Sequence, residues 1–123
     1  MKKVIHWSTR ARWLTKLFFE KVVKPMAGWG EPDAAGCAEA DKFTRQQLQV
    51  VEDWLQGRQW LANDAFSIAE PFALAYLEQA RYVDFPLAEF PAVNAWFERL
   101  DRREAIERAR ARVRSYAKPM MTL

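Results

Sequence analysis

A serine standing directly before an apolar run, with a glutamate three residues on, constrains this chain more than any other feature. The stretch is Phe66, Ser67, Ile68, Ala69, Glu70. In such an arrangement the Ser67 hydroxyl accepts from the backbone N–H of Glu70, and the Glu70 carboxylate reaches back to the N–H of Ser67. This is a capping box, and it marks the start of a helix expected over Ile68 to Tyr82. That helix reads Phe72, Ala73, Leu74, Ala75, Tyr76 and Leu77 without a polar break. A helix that is apolar all round for two turns belongs in the middle of a bundle. Ser67 and Glu70 therefore read as a structural pair rather than a catalytic one, since the serine has no histidine near it in sequence and is committed to its cap.

The remaining elements follow the same helical period. A first helix is expected from Ser8 or Thr9 to about Val23, with Ala11, Leu14, Phe18 and Val22 spaced three or four apart and Pro25 ending it. Residues Ala27 to Ala38 hold three of the four glycines and Pro32, and read as the longest irregular loop. A second helix is expected from Ala40 to Leu55, stopped by Gly57. Pro91 opens a helix presenting Val93, Trp96, Phe97 and Leu100 on one face. A last helix is expected from Arg103 to Tyr116, with Pro119 ending regular structure. No segment carries a useful period-2 apolar pattern, which excludes an α/β reading. The expectation is one all-α domain over 1–123, a five-helix bundle, with 1–7 as lead-in and 119–123 as tail.

Composition narrows the function classes. A chain of 123 residues builds one ordinary core. Cys37 is the only cysteine, so no intrachain disulfide forms and a cytoplasmic setting fits. The apolar run from Phe72 to Leu77 is far short of the ~20 residues a membrane helix needs. Net charge is +3, and its distribution is uneven. Between Arg99 and Lys118 stand eight basic residues against three acidic ones, leaving the rest of the chain at −2. The arginines there interleave with Glu104 and Glu107 at helical spacing, which reads as surface pairing, so nucleic acid is not the expected partner.

Isolated reactive residues lack companions. His6, the one histidine, has no Cys, His or Asp at ligand or triad spacing. Cys37 has Asp33 and Glu39 nearby, which oppose a thiolate. Neither catalytic nor metal-binding residues are assigned.

The stretch from Trp60 to Arg103 resembles the C-terminal all-helical domain of the cytosolic glutathione S-transferases. The matching residues are Trp60, Leu61, Asp64, Phe66, Ser67, Ile68, Ala69 and Glu70, then Pro91, Val93, Trp96, Arg99 and Arg103. Asn63 replaces the family's usual turn glycine, Glu70 its usual aspartate, and Pro71 a bulky aliphatic residue that would staple onto Phe66. In that family glutathione and its activating residue sit on a thioredoxin-like half, of which this chain carries no trace. The resemblance thus implies no bound cofactor, with glutathione held only if such a half is supplied. It implies a stand-alone helical domain acting through a protein partner or homodimer, or alternatively the helical half of a split or truncated transferase. It also implies that Arg10, Trp13, Leu17 and Glu20 on the first helix form a hydrophobic-substrate wall or an interface. Read from the residues alone, Trp13 and Leu17 are equally a wide core stripe or an exposed apolar patch.

Overall fold

A computed structural model describes residues 7–62 and 64–121, with side chains described for 12–62 and 64–115. His6, Asn63 and the side chain of Arg10 lie outside the described residues. The fold is all-helical, with five principal helical stretches and no strand among the described residues. In chain order these are α1 (Trp7–Phe18) with its extension α2 (Lys24–Met26), α3 (Ala34–Trp54), α4 (Ala69–Leu77) with α5 (Gln79–Tyr82), α6 (Pro91–Asp101) and α7 (Glu104–Met121).

The first stretch outruns its expected end. Pro25 does not stop it, because a π-helical turn over Phe19–Val23 intervenes. The Lys24 N–H bonds to Phe19 O, five residues back, so the wider turn makes room upstream of the proline ring. The stop comes at Gly28, whose φ of 73° lets Trp29 N–H reach Lys24 O and its own N–H reach Pro25 O. The expected long loop shrinks accordingly, since α3 begins at Ala34 rather than Ala40. At the other end α7 continues to Met121 and passes through Pro119. A proline forfeits one N–H bond in the last turn but does not forbid it there.

Tertiary contacts fix the helix directions. Glu20 meets Asp33, Lys16 approaches Gly36, and Trp13 stacks on Phe43 with ring centroids 4.5 Å apart. Those numbers run in opposite senses, so α1 and α3 are antiparallel. Along α6 they rise together: Arg45 meets Glu89, Glu52 meets Ala92 and Val93, and Gln59 meets Arg99. Helix α6 therefore runs parallel to α3. Val93, Trp96, Phe97 and Leu100 are fully buried, with Leu17, Leu48, Val51 and Leu77.

Three buried glutamates hold this arrangement, each by accepting from backbone N–H groups elsewhere. Glu20 accepts from Asp33 N–H at 3.0 Å and from Lys24 Nζ at 3.1 Å, pinning the α2–α3 loop. Glu52 accepts from Ala92 N–H at 2.9 Å and Val93 N–H at 3.0 Å. Helix α6 has Phe90 at its N-cap, which offers no side-chain acceptor, so Glu52 supplies from α3 what the local sequence lacks. Glu70 is wholly buried and accepts from the N–H groups of Leu61 and Ser67.

Candidate functional site

The box around Ser67 has one leg as read from sequence and one that differs. Ser67 N–H donates to Glu70 Oε2 at 2.8 Å. The serine hydroxyl, however, donates to that same oxygen at 3.0 Å and accepts from Ala69 N–H, while Glu70 N–H goes to the Ser67 carbonyl. The helix starts one residue late, at Ala69, and the carboxylate is shared with Leu61. Phe66 meets Trp60 edge-on, with centroids 5.5 Å apart, and packs against the core.

Helix α4 is not buried all round. Glu70, Ala73, Leu74 and Leu77 face the core, while Ile68 is 86% exposed and Phe72 62% exposed. Pro71 and Ala75 share the open side. The Phe72 and Tyr76 rings meet edge-on at 6.2 Å, one turn apart. The apolar character at these positions thus serves a surface, not a centre.

Beside this face a cleft of about 980 Å³ opens between α4–α5 and α7. Pro71, Leu74, Tyr82, Ile106 and Val113 give it apolar walls. Its floor is charged. Arg81 holds Asp101 in a two-pronged contact at 3.0 and 2.9 Å, and Arg110 reaches Asp101 and, at 2.7 Å, Glu78. Burial opposes ionisation of Asp101, but hydrogen bonds from Arg81 and Arg110 prevail and hold its carboxyl below the usual range. Burial likewise works against the Arg110 charge, and its two carboxylate partners still raise it above the ordinary arginine value. Arg110 Nη2 is buried with no hydrogen-bond partner. So Arg110 turns inward, whereas the sequence placed it among surface pairs. Arg108–Glu104 pairs on the outside of α7, and Arg114–Glu107 pairs at the rim of the cleft.

Of the first-helix residues, Trp13, Leu17 and Glu20 have described side chains, and they take three different places. Leu17 is fully buried in the core, and Glu20 is the loop clamp described above. The Asp33 N–H and then Lys24 hold the Glu20 carboxyl below its ordinary value. Trp13 is partly open, with Phe43 stacked on it and Arg12 4.6 Å from its ring centroid. Cys37 is half-buried beside the core. No group of three His, Cys, Asp or Glu among the described residues could hold a metal ion. No helix among them is long and apolar enough to cross a membrane.

Comparison with known proteins places this geometry. The family described as glutathione S-transferase, C-terminal domain, matches residues 7–104. FtsZ-localized protein A of Caulobacter vibrioides is 34% identical over 71% of this chain and 39% of its own length. Glutathione S-transferase D6 of Drosophila melanogaster is 27% identical over 69% of this chain and 36% of its own length. The match therefore spans under two-fifths of either relative. No solved structure gives a significant match.

Proposed function

This chain belongs to the glutathione S-transferase C-terminal domain family, and from that premise we propose that it is a protein-association module that does not conjugate glutathione alone. The observation that carries the reading is the open apolar face of α4, Ile68 and Phe72 above all. Ile68 and Phe72 stand four residues apart at the start of one helix beside an apolar-walled cleft, and contiguous exposed apolar patches mark contact surfaces. A relative named for its localisation with FtsZ supports a role in association. A cytoplasmic setting fits the single free cysteine.

In isolation the face is expected to be covered by a second copy. Burying Ile68 and Phe72 contributes ~1.5–3 kcal/mol each. Against the loss of free motion this gives weak, reversible pairing, on the order of 100 µM. Glutathione titrated calorimetrically into the pure protein is expected to give no saturable heat; a micromolar dissociation constant would sink the non-conjugating reading.

A second reading is favoured by the cleft itself, whose apolar walls suit a hydrophobic co-substrate. On it the chain is the helical half of a split or truncated transferase. A separately supplied thioredoxin-like half should then restore conjugation to a chloro-aromatic substrate, and no gain of activity counts against it.

A further inference from the structure

Four arginines gather at the end of the bundle where α6 stops and the Gln56–Ser67 connection passes. Arg103 sits with its guanidinium carbon 3.7 Å from the Phe66 ring centroid and 5.4 Å from that of Trp60. Arg99 lies 5.7 Å from Trp60 and is anchored by Nε donating to Gln59 O at 3.0 Å. Arg58 covers Trp54 at 4.3 Å, and Trp54 is itself fixed by Nε1 donating to Leu61 O. Arg102 forms the C-cap of α6. The guanidinium planes of three of these are thus held by aromatic rings rather than by carboxylates.

None of the four has an acidic partner within ion-pair distance among the described residues, and every Asp and Glu of the chain lies among those residues. The contrast with Arg81, Arg110 and Arg114, all paired, is direct. A helix C-terminus offers only about half a negative charge, too little to balance four cations. Burial and the like charge of Arg102 both press Arg99 below the ordinary arginine value. Positive charge here is concentrated, oriented and left without a counterpart.

We propose that this arginine–aromatic shelf is a docking site for an acidic protein segment. Carboxylates of the segment meet Arg58, Arg102 and Arg103 in the two-pronged geometry guanidinium favours, while an apolar side chain rests on the edges of Trp60 and Phe66. A nucleic acid fits less well, because α7 resumes with Glu104 and Glu107 and breaks the positive stripe a phosphate backbone would follow. The site is separate from the α4 face and stands without it.

Fluorescence anisotropy of a labelled peptide of glutamates flanking one phenylalanine, titrated with the full chain, tests the assignment. Saturable binding that weakens as salt rises is expected, since exposed charges are screened. The double variant Arg102→Gln, Arg103→Gln is expected to bind about tenfold more weakly, and Arg58→Gln, a change at an exposed residue, severalfold more weakly. Arg108→Gln with Arg112→Gln, equal in charge loss but on the outer face of α7, should stay within about twofold. Absence of binding, or equal loss in both double variants, overturns the proposal. So does tighter binding of an oligothymidylate of matching charge through the same arginines.

Discussion

The α3–α6 seam and the α4–α7 cleft are both places where two helices approach, and they close in opposite ways. At the seam a single buried carboxylate, Glu52, satisfies two N–H groups at the start of α6, and Val93, Trp96 and Phe97 pack without exposure. At the cleft, Ile106 is the one buried apolar residue α7 offers among its described side chains, and an arginine–carboxylate cluster occupies the space a core would fill. Apolar burial joined to satisfied backbone groups makes a seam rigid. A half-wet ion-pair cluster leaves the partners apart and adds little to stability. The molecule is held together at the first place and left open at the second.

Breaking the seam should therefore cost most. Glu52→Ala leaves two N–H groups buried without acceptors and is expected to lose ~3 kcal/mol in urea unfolding. Glu52→Gln, which keeps one acceptor oxygen, should lose about half of that. Ser67→Ala removes the hydroxyl from Ala69 N–H and Glu70 and is expected to cost ~1 kcal/mol. Arg110→Met at the cleft should change stability by less than ~1 kcal/mol, because both its carboxylate partners remain partly hydrated. A loss as large as that of Glu52→Ala would erase the contrast between the two regions.

The smallest effect is confined to acid. Glu20 titrates below its ordinary value of 4.5, so its contribution is complete above that pH and is lost as pH falls through the lowered value. Glu20→Gln should flatten the acid limb of a stability-against-pH curve and leave the neutral plateau less altered. An unchanged acid limb would remove Glu20 as a titrating clamp.

The sequence announced the bundle and the Ser67–Glu70 start because both rest on local spacing. It was silent on Glu52, whose role joins residues forty apart. A signal existed even so: Glu52 falls on the apolar stripe of Leu48, Val51 and Leu55, and α6 opens without a capping residue at Phe90. The π-helical turn ahead of Pro25 was illegible because a proline in a helical pattern reads as a stop, and the wider turn that accommodates it leaves no mark in apolar spacing. The face of α4 misled for a different reason. Periodicity reports where apolar residues are, and a helix apolar all round looks the same whether its second face meets a core or a partner. Family position sets Leu17 and Glu20 at a hydrophobic wall or interface, and the residues alone also allow Leu17 a core stripe; Leu17 is buried in the core and Glu20 clamps the α2–α3 loop.

On this reading the open face of α4 is a contact surface. Sedimentation velocity over a concentration series up to the millimolar range tests it most directly, comparing the native chain with Ile68→Asn, Phe72→Ser. A contact surface there predicts a 14.4 kDa species passing reversibly to twice that mass in the native chain, and a monomer throughout in the variant, with unfolding midpoints nearly equal. A native chain that stays monomeric across the series, or a variant that pairs as well as the native chain, would contradict it.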